Sequence, residues 1–216
     1  MSVCVGCTDV KNTLIVFDLS DVSPTTNEPN RWAVLSLRSE ATCLECPAGH
    51  AHAFIGFKDG TVNCFDLLTA KMSPYLIPNV WQQHLEVLRR SGMSDAPKRY
   101  VPMCTDIKSH PRDLNQVLLG YEGGVVLWDW SNKRAAATYD LLLPPGAVGG
   151  SDEHDPNLFS DRRPSVTCLA WRPDGLVFCA GHDDGCLSFW DVDDGDKPIQ
   201  VRTMDRPDVN SESLSK

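Results

Sequence analysis

Two pairs of cysteines in this sequence have the spacing of zinc ligands, and two histidines lie near the second pair. The residues that share this pattern are Cys4, Cys7, Cys43, Cys46, His50 and His52. A tetrahedral zinc site uses four cysteines, or two cysteines and two histidines. The two pairs lie further apart than the roughly 15–20 residues of a zinc ribbon. We also expect Cys43 and Cys46 to lie in one inner strand, with their side chains on opposite faces. Buried structural thiols, with no metal, are therefore the interpretation that we favour over a metal-dependent protein.

The run His182-Asp183-Asp184 combines residue types that could perform acid–base chemistry. The same residues suit a tight turn, because an Asp side chain accepts hydrogen bonds from turn amides. Neither a Gly-x-Ser-x-Gly elbow nor a phosphate-binding loop occurs in the sequence, since Gly123-Gly124 does not lead into a helix with a following Lys and Ser or Thr. We therefore expect a protein without enzymatic activity or cofactor.

These residues lie among short apolar runs separated by turns. Between residues 165 and 192 the runs are 166–171, 176–181 and 186–190, and the turns are 173–175 and 183–185. The third run alternates and ends in Trp190-Asp191. Short alternating strands, Gly-containing turns and a terminal Trp-Asp dipeptide are typical of one blade of a WD-repeat β-propeller.

The unit occurs three more times, with an aromatic-Asp dipeptide at Phe17, Phe65 and Trp128. The sequence thus predicts an all-β, incomplete WD-repeat β-propeller with about three and a half four-stranded blades. A half blade is predicted at 1–38, with an outer strand at 32–37, followed by blades at 39–77, 99–141 and 164–205 and a disordered tail at 206–216. The predicted structural residues of the blade turns are Asp59, Gly60, Gly123, Gly124, Trp128, Asp129, Asp184, Gly185, Trp190 and Asp191.

Two long connections, at about 72–99 and 143–164, interrupt the repeats. Long loops in compact domains are usually functional or disordered, so we expect partner contacts there. The first contains a predicted helix at 81–90 with Trp81, Leu85 and Leu88 on one face. Trp81 either anchors this connection to its own propeller or contacts a partner, and we favour the anchor. The candidate partner-binding residues are Pro78, Asn79, Trp81, Arg89, Arg90, Pro144, Pro145, Asp152, Glu153 and Asp155.

Composition restricts the functional class further. The formal net charge is −9, which disfavours binding to nucleic acid. No apolar run approaches the roughly 20 residues that span a bilayer, and the first residues do not resemble a secretory signal. We expect the nine cysteines to be reduced thiols of a cytoplasmic protein.

The predicted blade count has a structural consequence. Propellers usually close with about four to eight blades, and an open ring exposes two apolar faces. We therefore expect these 216 residues to be a piece of a longer protein. An oligomer that completes the ring is the alternative.

The two long connections, together with the strands before them, resemble those of a known protein family. The run FIGFKDGTVNCFDL followed by SPYLIPNVW, and HPRDLNQVLLGYEGGVVLWDW followed by LLLPPGAVGG, resemble the lethal giant larvae/tomosyn family. The resemblance extends over about 41–210, and the IPNVW and LPPGAVGG segments are its most diagnostic parts.

This resemblance implies two tandem seven-bladed propellers, of which the chain would contain part of the first. It implies a cytoplasmic protein, recruited to the plasma membrane or cell cortex, that regulates vesicle fusion, exocytosis and cell polarity. The implied partners are plasma-membrane SNARE proteins of the syntaxin and SNAP-type classes, and for some members a Rab-type GTPase or non-muscle myosin. A WD-repeat scaffold unrelated to secretion, such as a ubiquitin-ligase substrate receptor, is the alternative.

Overall fold

The computed structural model describes residues 2–7, 12–47, 49–94, 96–142 and 163–202, and for 2–7 the backbone only. Fifteen strands and one helix lie in this part of the chain. The first seven strands are β1 (Ser2–Cys7), β2 (Thr13–Val22), β3 (Pro29–Ser36), β4 (Ala41–Glu45), β5 (His52–Phe57), β6 (Val62–Asp66) and β7 (Lys71–Ile77). The helix and the other strands are α1 (Val80–Arg90), β8 (Cys104–Ser109), β9 (Gln116–Tyr121), β10 (Gly124–Asp129), β11 (Arg134–Tyr139), β12 (Val166–Trp171), β13 (Val177–His182), β14 (Leu187–Asp191) and β15 (Gln200–Arg202).

The described strands form four antiparallel sheets in chain order. Sheet I contains β1 to β3, sheet II β4 to β7, sheet III β8 to β11 and sheet IV β12 to β15. Within each sheet every strand pairs with its neighbour in sequence. The first strands of sheets II, III and IV also contact one another in turn, β4 against β8 and β8 against β12. Sheets arranged radially around their first strands are the blades of a propeller, so the predicted incomplete β-propeller is confirmed.

Burial along the strands follows from this radial packing. In sheet III, which has a neighbour on each face, β10 buries five consecutive residues, Gly124 to Trp128. In sheet IV, β14 alternates instead, with Ser188 and Trp190 buried and Leu187 exposed. Alternation indicates a strand covered on one face, and a continuous apolar run indicates a strand covered on both. The three apolar cores accordingly lie between successive sheets, and α1 joins the core between sheets II and III.

A β-bulge recurs at the same place in the first strand of sheets II, III and IV. The pairing register shifts before Cys43 in β4, Asp106 in β8 and Cys168 in β12. Each of these residues then lies opposite a glycine of the next strand, respectively Gly56, Gly120 and Gly181. A bulge redirects the side chain that follows it. The three bulged residues are therefore structurally equivalent.

Two sequence predictions need correction. The outer strand of sheet I begins at Pro29 and ends at Ser36, earlier than the predicted 32–37. Cys46 does not share a strand with Cys43, because β4 ends at Glu45 and Cys46 is exposed beyond it. The helix predicted at 81–90 is present one residue longer. Within the described residues, no helix is long and apolar enough to cross a membrane.

Candidate interaction surface

The predicted turn residues hold the ends of neighbouring strands together. Asp59 Oδ1 accepts a hydrogen bond from the Thr61 amide at 3.0 Å, and Asp184 Oδ1 accepts one from the Cys186 amide at 2.9 Å. The glycines that follow these aspartates have positive φ, 74° at Gly60 and 83° at Gly185. A residue with a β-carbon is disfavoured at such φ, which explains the Asp-Gly pattern.

In the aromatic-Asp dipeptides of sheets III and IV, the aromatic residue packs in the core and the Asp accepts a hydrogen bond from the turn that follows. Trp128 and Trp190 are buried. Asp129 Oδ1 accepts a hydrogen bond from the Asn132 amide at 2.9 Å, and Asp191 Oδ1 accepts one from the Asp193 amide at 3.0 Å. Each dipeptide thus fixes the third strand of its sheet and the turn into the fourth.

His182 belongs to a buried hydrogen-bond network in sheet IV. Its Nε2 lies 2.8 Å from Ser188 Oγ, which also accepts from Trp190 Nε1 at 2.8 Å. Nδ1 faces the Pro164 carbonyl at 3.4 Å. Burial lowers the pKa of His182, in spite of the opposing Pro164 carbonyl and nearby Asp184 and Asp183. His182 is only 6% exposed, so this geometry describes a buried histidine that joins two strands.

The described residues contain no cluster of ligands that would support a zinc site. No group of three or more His, Cys, Asp or Glu side chains in the described ranges could hold a metal ion. The side chains of Cys4 and Cys7 lie outside the described residues. Cys43 instead faces Cys104 of sheet III, with 3.7 Å between the two sulfur atoms.

Helix α1 is fixed to sheets II and III at its N-terminus. Asn79 caps it by accepting from the Gln82 amide at 2.9 Å, a common role for Asn at this position. The Asn79 amide group also donates to the carbonyls of Asp59 at 3.0 Å and Pro102 at 2.7 Å. One side chain thus joins the helix, a turn of sheet II and the chain that enters sheet III.

Trp81 lies inside the protein and does not present a surface to a partner. It is 0% exposed and packs with Leu85 and Leu88 in the core between sheets II and III. The packing therefore supports the anchor interpretation of Trp81. Asn79 is also buried, so neither residue is available for the partner contact that was considered for them.

The C-terminal end of α1 is tied to the segment after it. Arg89 Nε donates to the Ala96 carbonyl at 2.7 Å, and Arg89 Nη2 donates to the Pro97 carbonyl at 3.1 Å. Arg89 is therefore engaged within the chain. Arg90 is exposed and Pro78 is partly exposed. Pro144, Pro145, Asp152, Glu153 and Asp155 lie outside the described residues.

Several exposed apolar and basic residues lie between residues 87 and 101, at the end of the helix and in the chain that follows it. We call this set the α1 surface, and its members are Val87, Arg90, Met93, Lys98, Arg99 and Val101. Val87 and Met93 are each 60% exposed and Val101 is 44% exposed. Of these residues, only Arg90 is a partner-binding residue predicted from the sequence. The residue that could have indicated this surface in the sequence is Val87, because it is an apolar residue on the polar face of the predicted helix.

An ion-pair cluster fixes the segments that flank 143–162. Arg163 donates to both oxygens of Asp140, from Nε at 2.5 Å and from Nη2 at 2.9 Å. His84 of α1 lies close by, with Nε2 3.6 Å from Asp140 Oδ2 and its ring 4.9 Å from that of Trp81. The helix, the end of sheet III and the approach to sheet IV therefore meet at Asp140.

Comparison with known proteins shows which proteins this chain resembles. Residues 159–210 match the WD40 domain of anaphase-promoting complex subunit 4. An uncharacterized Schizosaccharomyces pombe protein is 30% identical over 80% of this chain and 17% of its own length. The Saccharomyces cerevisiae lethal(2) giant larvae protein homolog SRO77 is 27% identical over 78% of this chain and 15% of its own length.

A human relative extends the match to animals. The LLGL scribble cell polarity complex component 2 of Homo sapiens is 28% identical over 55% of this chain and 10% of its own length. The chain thus spans less than a fifth of each of these curated relatives. Together with the confirmed propeller fold, these matches show that the homologues of this chain include lethal giant larvae proteins of yeast and animals.

Proposed function

We propose that this chain is part of a non-enzymatic WD-repeat scaffold that regulates exocytosis and cell polarity by binding plasma-membrane SNARE proteins of the syntaxin and SNAP-type classes. The similarity to SRO77 and to a component of the scribble cell polarity complex supports this role. The observation that carries it is the α1 surface, a set of exposed apolar and basic residues at the end of a firmly anchored helix and in the chain just after it. A rigid scaffold that presents a binding element to a partner needs no chemistry of its own.

The α1 surface fits an amphipathic helix with acidic flanks. Val87, Met93 and Val101 offer apolar contact area, and Met and Arg are enriched at the cores of protein interfaces. Arg90, Lys98 and Arg99 are exposed cations in a chain whose net charge is −9. A helix laid in this position would bury its apolar side and pair its acidic residues with these cations.

Direct binding with matched surface variants tests the proposal. The purified chain is titrated with helices from syntaxin and SNAP-type proteins, and we expect the substitutions Val87→Asp and Met93→Asp each to weaken binding at least tenfold. Leu68→Asp is the matched control, because Leu68 is 76% exposed in the turn after β6 and distant in sequence from α1. Binding that survives both α1 variants would contradict the assignment of the surface. Absence of binding to every SNARE helix would favour a WD-repeat scaffold unrelated to secretion.

The same proposal includes recruitment of the cytoplasmic protein to the plasma membrane, with a Rab-type GTPase or non-muscle myosin as a further partner. SNARE binding alone would account for recruitment. Imaging of the tagged protein in cells separates these partners. The Val87→Asp variant should lose its cortical position if SNARE binding recruits it, and should keep this position if a GTPase or myosin does.

A further inference from the structure

Two thiols meet where sheets II and III adjoin. The sulfur atoms of Cys43 in β4 and Cys104 in β8 are 3.7 Å apart, although the residues are 61 positions apart in sequence. Cys104 is 0% exposed, whereas Cys43 is partly exposed. Both strands are first strands of their sheets and pack directly against each other. The pair therefore links two blades that share no strand.

The backbone makes specific room for the two sulfur atoms. The bulge in β4 places Cys43 opposite Gly56 of β5. A β-carbon at Gly56 would overlap the Cys43 sulfur and would lie 2.8 Å from the Cys104 sulfur. Real β-carbons do not approach other atoms so closely, so the pair requires glycine at this position.

The equivalent contact between sheets III and IV has different chemistry. Asp106, which takes the place of Cys43 in sheet III, accepts a hydrogen bond from the Leu169 amide at 2.7 Å. The bulged residue thus reaches across to the next blade in both cases. Between sheets II and III this contact consists of two thiols, which can form a covalent bond.

A cavity borders the strand that carries Cys43, and Cys43 itself is partly exposed. It has a volume of about 240 Å³ and lies between sheets I and II. The residues that line it include Leu14, Leu37, Thr42, Cys43 and Ile55. Because Cys43 is partly exposed, hydrogen peroxide can reach its thiol without unfolding of the sheets.

We propose that Cys43 and Cys104 form a paired-thiol oxidation site, which a peroxide converts into a disulfide that joins sheets II and III. In the first step the Cys43 sulfur attacks one peroxide oxygen. The O–O bond breaks, Cys43 becomes a sulfenic acid, and the departing hydroxide takes the thiol proton to form water. In the second step the Cys104 sulfur attacks the Cys43 sulfur, the S–O bond breaks and a second water leaves. Two thiols and one hydrogen peroxide thus give one disulfide and two waters.

The order of these steps follows from burial. Burial, with a smaller effect of neighbouring Cys43, raises the pKa of Cys104 well above its ordinary value, which disfavours Cys104 as the first thiol to attack peroxide. Cys43 is the partly exposed thiol of the pair. Closing the bond requires the sulfur atoms to approach from 3.7 Å to about 2.05 Å.

Peptide mapping of the oxidised chain tests the site. The purified chain is treated with hydrogen peroxide, alkylated in denaturant and digested with trypsin. We expect a peptide pair that joins residues 39–58 to residues 100–108, lighter by two hydrogens than the sum of the reduced peptides and separated by dithiothreitol. Because Cys46 is in the same peptide as Cys43, the Cys46→Ser variant should retain the cross-link. Thermal unfolding should occur at higher temperature in the oxidised chain than in the reduced chain.

Two further variants separate the proposal from general thiol reactivity. Cys168 is the structural equivalent of Cys43 in sheet IV, so Cys168→Ser is the matched control and should keep both the cross-link and the rise in unfolding temperature. Cys104→Ala should leave a sulfenic acid on Cys43 that dimedone captures. Recovery of alkylated Cys43 and Cys104 after peroxide treatment, or oxidation of Cys43 to sulfinic acid in the wild-type chain, would overturn the proposal.

Discussion

Gly124 lies directly against the indole ring of Trp81. A β-carbon at Gly124 would overlap the outer atoms of the six-membered ring. Gly124 begins β10 of sheet III, whereas Trp81 belongs to the first turn of α1. The absence of a side chain at one residue therefore allows the helix to enter the core between two blades.

We expect Gly124→Ala to lower the free energy of unfolding by about 1–3 kcal/mol, because overpacking forces side chains and backbone to shift. Urea unfolding measures this change. The same substitution in a Trp81→Phe background should cost less, since the smaller phenyl ring leaves room for a methyl group. Equal costs in both backgrounds would show that the two residues do not interact as the structure places them.

Asn79 provides a graded test of how α1 is held. Asn79→Ala removes the helix cap and both hydrogen bonds to carbonyls, and we expect a loss of about 2–3 kcal/mol in unfolding free energy. Asn79→Asp keeps an oxygen that can cap the helix but brings a carboxylate towards the Asp59 and Pro102 carbonyls. We expect Asn79→Ser, which also retains a cap, to be the mildest variant. If the Ser variant were as unstable as the Ala variant, the loss in unfolding free energy would come from the two carbonyl contacts and not from the helix cap.

Ser188→Ala tests the buried network of sheet IV. The change leaves His182 Nε2 and Trp190 Nε1 without their shared partner, and an unsatisfied buried polar group costs about 1–3 kcal/mol. Chemical unfolding of the purified chain should show a loss in this range. Ser131→Ala is the control, because the Ser131 hydroxyl is bonded to Asn115 at an exposed position, and its effect should stay within about 0.5 kcal/mol.

Asp140 should make stability depend on pH. Burial raises the pKa of Asp140, but the combined effects of His84 and Arg163 outweigh it and hold the pKa below 3.8. Because the folded pKa is depressed, this stabilisation is complete above the unfolded pKa and is lost as the pH falls through the folded value. We expect Asp140→Asn to lower the unfolding free energy by about 2 kcal/mol at neutral pH.

The pH series provides the control for that expectation. The difference between wild type and Asp140→Asn should remain constant from neutral pH to about pH 5 and should shrink below about pH 4, as the wild-type carboxylate becomes protonated. Exposed Asp196→Asn should change stability at neutral pH by less than about 0.5 kcal/mol. A difference that persists unchanged into strong acid would exclude ionisation of Asp140 as its source.

Local patterns predicted the propeller well because each blade is specified by its own turns. Asp59-Gly60 and Asp184-Gly185 fix turns through hydrogen bonds and φ values that involve only adjacent residues. The helix was predictable for the same reason, since Trp81, Leu85 and Leu88 share one face at helical spacing. Interactions between residues that are close in sequence can therefore be predicted from a single sequence.

Contacts between blades were not predictable in this way. The sequence pairs Cys43 with Cys46 by spacing, yet the partner in space is Cys104, because radial packing brings β4 against β8. The pattern of residues in the sequence does not indicate the bulge that directs Cys43 towards the next blade. The exposure of Val87 and Met93 likewise depends on how sheets II and III bury the other face of α1.

The bidentate ion pair between Asp140 and Arg163 holds the two ends of an intervening segment at contact distance. The separation of those ends is therefore independent of the number of residues between them. When the ends of a loop are already close, doubling its length costs only about 0.6 kcal/mol. We therefore expect a reporter or an epitope inserted between these two residues to leave the adjacent blades in place.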